Sequence, residues 1–102
     1  SAGKSGGNRG GRLGLDVETL PAEGLERFGI NGGVVVRGVT PGSVAAQAGL
    51  KVDDVITLID TTPIKSSEVF EQAVDKLKAG SSVPLRLIRQ GSPLFIGLKL
   101  PD

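Results

Sequence analysis

Short apolar runs of period two alternate with helical patches along this chain, and turn-forming residues separate them. Leu13, Leu15 and Val17 recur at every second position, which predicts a first strand over about residues 13–20. Pro21 suits the first turn of a helix, with Glu23 near its start and Leu25, Phe28 and Ile30 as its apolar contributions. Asn31-Gly32-Gly33 signals a turn. The β-branched run from Gly33 to Val39 predicts a mostly buried strand, broken by Thr40-Pro41-Gly42, and Ser43 is placed to cap a short helix, VAAQAG, that stops at Gly49.

The second half repeats the alternation. Val52-Asp53-Asp54 turns into the strand VITLID, and Thr61-Thr62-Pro63 turns into a short strand around Ile64. Ser66 or Ser67 can cap a long helix, EVFEQAVDKLKA, in which Glu68 and Glu71 favour the positive end and Lys76 and Lys78 the negative end; Gly80 stops it. VPLRLIR and LFIGLKL form two strands around Gln90-Gly91-Ser92-Pro93, a hairpin in which Leu94, Ile96, Leu98 and Leu100 share a face. Pro84 near the start of its strand predicts an edge position or an irregular start. The sum is an α+β domain of five or six short strands and two or three helices, most economically packed as a partly open β-barrel or sandwich capped by the helices.

Composition narrows the chemistry. The 102 residues contain no cysteine, methionine, tryptophan, tyrosine or histidine. Without histidine there is no Ser-His-Asp or Cys-His machinery and no HExxH zinc site, and without cysteine no disulfide framework or thiolate metal site. No residue is spaced as a metal ligand, no cofactor is implied, and no catalytic residue is expected. Net charge is +1, from 12 basic and 11 acidic residues. Lys4 and Arg9 lie in the first eleven residues, which hold no acid, so from residue 12 onward the balance is 10 to 11, or −1. Scattered basic residues and three phenylalanines do not make a nucleic-acid surface. No apolar run reaches the ~20 residues of a membrane span, and no signal peptide is visible.

Residues 1–11, SAGKSGGNRGG, hold five glycines and read as a flexible linker or a cloning remnant, leaving residues 12–102 as the domain. Gly3-Lys4-Ser5 lacks both the strand and the upstream glycine of a phosphate-binding loop.

The stretch GGRLGLDV is odd, because a glycine weakens the strand it interrupts. Consecutive backbone N–H groups in a curved turn make an anion-binding nest, and Gly14 lets that turn curve without a Cβ clash. Leu13 and Leu15 can line an apolar hole, and Arg12 upstream can attract an anion or stand as a solvated linker residue. The turn suits the terminal carboxylate of another chain, and Asp16-Val17 onward could pair with that chain as an added strand. A valine at Gly14 is expected to abolish such binding with little loss of fold. Arg37, Arg86 and Arg89 read as solvent-facing charges on strands, and Ser43 as a helix cap rather than a nucleophile.

The run VVVRGVTPGSVAAQAGLKVDDVITLIDTTPI, followed by the helix ending Leu-Lys-Ala-Gly, resembles the PDZ domain. With RLGLDV leading and LFIGLKLPD closing, it looks most like the second, C-terminal PDZ of a Do-like (HtrA/Deg) periplasmic serine protease of the MucD/DegQ type. The family usually has Gly-Asp where this chain has Asp53-Asp54, and an aspartate tolerates a positive φ there at modest cost.

The resemblance implies a non-catalytic peptide-binding module, with the protease domain and a first PDZ of the parent chain as neighbours. It implies a groove between the first strand and the last helix, lined by Arg12, Leu13, Gly14, Leu15, Asp16, Val17, Phe70, Val74 and Leu77. Phe70, Val74 and Leu77 share a helix face; the alternative is that the whole arc is core. Relatives that select Ser or Thr two residues before the terminus carry His where this chain has Phe70, so an apolar ligand residue is expected there, and Val, Leu, Ile or Phe at the terminus. The partners so implied are apolar C-terminal tails or segments of unfolded proteins, in the periplasm. The alternative is an assembly element of the same protease, with Phe70 filling the groove and a homo-oligomer formed through the parent.

Overall fold

A computed structural model describes residues 13–100. The expected linker and Arg12 lie outside the described residues. Six strands and three helices follow in the order β1 (Leu15–Thr19), α1 (Ala22–Phe28), β2 (Val34–Val39), α2 (Val44–Ala48), β3 (Val55–Ile59), β4 (Thr62–Pro63), α3 (Ser67–Asp75), β5 (Ser82–Arg89) and β6 (Ser92–Lys99). They make one antiparallel sheet of order β1-β2-β3-β5-β6, with β4 paired to β3, so β1 is an edge strand. This is the expected α+β class, opened out as a sheet with helices on its faces.

The β-branched run of β2 follows from what its two faces touch. Val34 and Val36 enter the main core with Leu13, Leu15, Val17, Ile56, Leu85, Leu87, Phe70 and Val74. Val35 points the other way, into a smaller cluster of Leu20, Val55 and Ile88 covered by Leu25 and Phe28 of α1 and by Ile30. A strand buried on both faces reads as a continuous apolar run, which is how it reads in the sequence.

The caps fall where the sequence places them. Ser43 Oγ accepts from Ala46 N–H at 3.2 Å, and Ser66 Oγ from Val69 N–H at 3.2 Å. Gly49 closes α2 with φ +96°. Gln90 and Gly91 both take positive φ, +53° and +81°, in the two-residue turn joining β5 to β6, the backbone that a tight hairpin requires. Asp53 takes φ +79°, the conformation that a glycine would otherwise supply.

Four expectations about the strands and helices change. The helix of residues 68–79 ends at Asp75, because Lys76 N–H reaches both Gln72 O and Ala73 O at 3.3 Å and Leu77 N–H bonds Val74 O, a tightening of the last turn that leads the chain out of the helix. The short strand falls on Thr62–Pro63; Ile64 is instead buried, its N–H donating to Thr57 O at 3.0 Å. Along β6 the apolar face runs out of core: Leu98 and Leu100 are buried, Ile96 partly, and Leu94 is 36% exposed. Pro84 sits in an internal strand, where its carbonyl accepts from Asp60 N–H just past β3 at 2.8 Å, so its nitrogen faces that turn and its missing N–H interrupts no bond to β6.

Arg89 is not a solvent-facing charge. It grips the buried Asp54 with two hydrogen bonds, Nε to Oδ1 at 2.9 Å and a guanidinium N–H to Oδ2 at 2.6 Å, and donates a third to Gly49 O at 2.9 Å. The hydrogen bond to Asp54 raises the Arg89 pKa above its ordinary value, against desolvation by burial. Asp54 Oδ2 also accepts from Lys51 N–H at 3.0 Å. Removing one partner of such a pair leaves a charge with its desolvation uncompensated. Arg89→Met should therefore destabilise the domain by roughly 3 kcal/mol in urea unfolding, and Arg89→Lys should recover less than half of that, because an ammonium cannot make the two-pronged contact.

Candidate peptide-binding groove

The turn at Leu13-Gly14 is held from behind. Leu13 O accepts from Ala45 N–H at 2.9 Å, near the N-terminus of α2, and Gly14 O accepts from Thr40 N–H at 2.8 Å, just past β2. Across a planar trans peptide the C=O and the next N–H point in opposite directions. The Gly14 and Leu15 amides are therefore turned away from α2 and β2, the orientation an anion-binding nest needs.

The register continues this pattern along β1. The bonds Thr40 N–Gly14 O and Leu20 N–Gly33 O bracket the pairs Leu15↔Val39 and Thr19↔Val34, which makes them the non-hydrogen-bonded pairs of the β1–β2 ladder. Residues 15, 17 and 19 thus present N–H and C=O to the open edge, while Asp16 and Glu18 engage β2. Asp16 and Glu18 side chains are exposed, and Glu18 meets Arg37 in a surface ion pair at 3.0 Å. The irregularity between Asp16 and Val17 is absorbed on β2, where Arg37 is the unpaired residue.

Gly14 sits here for two reasons. Its φ is +78°, and a Cβ at this position would overlap Ser43 Cβ and lie 2.7 Å from Ser43 Oγ. The expectation that a valine here spares the fold is overturned: it would collide with the very residue that caps α2.

Leu13, Leu15, Val17, Phe70 and Val74 all belong to one cluster, with Leu77 packed against it from beyond the end of α3. Leu13 and Phe70 are 0% exposed, and Val74 is 2% exposed. Both stripes of α3, Phe70/Val74 and Val69/Ala73, face inward. The space between β1 and α3 is thus filled by the domain's own side chains. A surface cleft of about 510 Å³, bordered by Ile30, Gly32, Leu58, Pro63, Lys65 and Arg86, lies elsewhere, and none of the expected groove residues lines it.

One cross-groove contact escaped the sequence. Thr19 Oγ1 accepts from Ser67 N–H at 2.9 Å and donates to Ser67 Oγ at 3.3 Å, joining the end of β1 to the start of α3. Forty-eight positions separate the two residues, and neither type signals the other. Among the described residues no acidic cluster could hold a metal ion, and no helix is long and apolar enough to cross a membrane.

An edge strand with outward amides, a glycine turn at its head and a helix laid along it define a PDZ-type architecture. The chain belongs to the PDZ domain family, which matches it over residues 11–100. Its curated relatives extend the resemblance to the protease. It is 42% identical over 91 residues to a probable DegP-like periplasmic serine endoprotease of Marinomonas sp. (strain MWYL1), and 43% identical over 88 residues to that of Hahella chejuensis. These matches cover 89% and 86% of this chain but 19% of each relative, so the chain spans about a fifth of their length. Their names carry the periplasmic localisation expected above.

Among solved structures, the HtrA-type protease AlgW with a decapeptide superposes with a TM-score of 0.74 at 27% identity, over 87% of this chain and 28% of that one. The HtrA3 PDZ domain bound to a phage-derived ligand, FGRWV, shares the fold with a TM-score of 0.71 at 21% identity, over 85% of this chain and 81% of that one. A PDZ domain is a non-catalytic module; in the relatives the chemistry is that of a serine endoprotease.

The glycine turn yields a direct test. Gly14→Ala should cost more than about 2 kcal/mol in urea unfolding, from the positive φ and the overlap with Ser43 together. Adding Ser43→Gly, which removes the overlapping atoms, should restore part of that loss, so the two changes should be non-additive.

Proposed function

We propose that this domain binds apolar C-terminal tails, or extended apolar segments of unfolded proteins, by strand addition to β1, and so serves as a substrate-recognition or regulatory module of a periplasmic Do-like serine protease. The observation that carries this reading is the geometry of residues 13–17. Outward amides at Gly14 and Leu15 suit a carboxylate, and the free main-chain groups of Leu15 and Val17 suit an extended partner. Leu13, Leu15 and Leu77 would surround the last side chain of the ligand, Phe70 and Val74 the one two residues before it, with Asp16 and Val17 along the strand; Arg12 would draw the carboxylate in. HtrA-type relatives solved with peptide ligands support the same reading. The protease domain and the first PDZ of the parent chain would be its covalent neighbours.

A second reading has its own observation. Because Phe70 and Val74 are buried and fill the β1–α3 space, the domain could act as an assembly contact between protomers of the same protease, its groove closed. The two differ in what an apolar tail does. In an amide NMR titration with short peptides ending in Val, Leu, Ile or Phe, the peptide reading expects shifts concentrated at residues 13–17 and 70–77. Affinities should be micromolar, about −8 kcal/mol, and lost when the terminal carboxylate is amidated. Shifts that ignore the amidation, or no shifts, would favour the assembly reading.

A further inference from the structure

We infer that Thr19 and Ser67 act as a ruler, limiting strand addition on β1 to about the last four residues of a C-terminal tail. The inference rests on the peptide-binding reading above and adds to it which ligands that groove selects. Its basis is the pair of hydrogen bonds from Thr19 Oγ1 to the Ser67 amide and hydroxyl, 2.9 and 3.3 Å long. Thr19 Oγ1 lies about 2.4 Å from its own Cα by covalent geometry. Thr19 Cα is therefore within about 5.3 Å of the Ser67 nitrogen, the sum of that reach and the 2.9 Å bond.

An added strand needs more room than that. It runs about 4.8 Å from its neighbour, and the helix behind it must stand off by a similar distance again. At the level of Thr19 the space between β1 and α3 is closed, although Thr19 belongs to the set of residues whose main-chain groups face the open edge. Usable edge remains at Leu15 and Val17 alone.

The ladder then fixes the count. With the ligand carboxylate at the Gly14 and Leu15 amides, an antiparallel ligand donates its last N–H to Leu15 O, and its third-from-last residue exchanges both main-chain bonds with Val17. Its fifth-from-last residue would need Thr19 N–H. The residue before that level is the last one seated, and further residues must leave the sheet. A long internal segment, which needs continuous edge, is disfavoured against a free terminus.

The tie also makes the ruler breakable without unfolding the helix. Ser66 already caps α3 through Val69 N–H, so Thr19 is a supplementary acceptor at Ser67, the first helical residue. Proline is well tolerated at that first position and carries no N–H. Ser66, the residue before it, already has φ −157° and ψ 169°, the extended conformation that precedes proline. Thr19→Val removes the acceptor while keeping the β-branched shape; Ser67→Pro removes the donor from the other side.

The test is a calorimetric titration of acetylated peptides of three to eight residues sharing one apolar C-terminus, against the unaltered domain, Thr19→Val and Ser67→Pro, each checked for a dispersed NMR spectrum. In the unaltered domain the Kd should fall up to four residues and stay within twofold from four to eight. In either variant it should fall a further threefold or more between four and six residues, with the Thr19 amide shifting only then. A Kd that keeps falling beyond four residues in the unaltered domain, or length profiles that coincide in all three proteins, would overturn the ruler and leave the peptide reading standing. No binding at any length in any protein would overturn both.

Discussion

The buried carboxylate of Asp54 is the constraint on which the rest of the domain leans. It sits in the turn before β3, takes two hydrogen bonds from Arg89 at the end of β5, and takes a third from the Lys51 amide just beyond α2. Asp54 O and Asp53 N–H, meanwhile, close onto Val36 in β2, both at 2.8 Å. One residue thus fixes β2, β5 and the exit of α2 relative to one another. The position of α2 in turn decides the groove, because Ala45 N–H and the Ser43 side chain are what the Leu13-Gly14 turn is built against. The outward amides are a consequence of where the carbonyls are held, and the carbonyls are held by elements that Asp54 and Arg89 locate.

How much of this the sequence discloses depends on the range of the interaction. Period-two leucines, the VVV run, the Ser43 and Ser66 caps, Gly49 and the Gln90-Gly91 turn are local signals, and each corresponds to its element in the structure. What escapes is long-range. An arginine on a strand looks solvated until the fold brings Asp54, 35 positions earlier, against it. The end of α3 escapes too, since DKLKA is a good helical sequence and only tertiary packing draws Leu77 out of the helix. Gly14 was legible as a glycine the backbone needs, but its collision partner, Ser43, was not. The candidate site divides the same way. The glycine turn and the strand after it could be read from RLGLDV, whereas the burial of Phe70 and the Thr19–Ser67 tie needed the structure.

The burial of Phe70 bears on what kind of recognition this groove can support. A ligand side chain gains roughly 1.5–3 kcal/mol by full burial, but here it must first displace or rearrange packed residues of the domain, so part of that gain is spent on opening. Main-chain contacts depend on it less. The edge groups of Leu15 and Val17 and the amides after Leu13 are already oriented, so once the space beside α3 opens an extended ligand would meet them without any change in β1. Affinity in such a groove should come mainly from the backbone and the carboxylate, with side chains acting as a filter on what the cluster around Phe70 can accommodate.

This division has a consequence for a domain read as part of a quality-control protease. Recognition through main-chain groups is indifferent to most of a substrate's sequence, which suits a module that must meet many unfolded chains. Indifference alone would let any exposed strand add to the β1 edge, the hazard that free edges carry in general. On the proposed reading β1 is confined at both ends, by the glycine turn where a carboxylate would sit at one and by the short span between Thr19 and Ser67 at the other. Two local features, neither of them a charged pocket, would thereby turn a sticky edge into a site for a chain end.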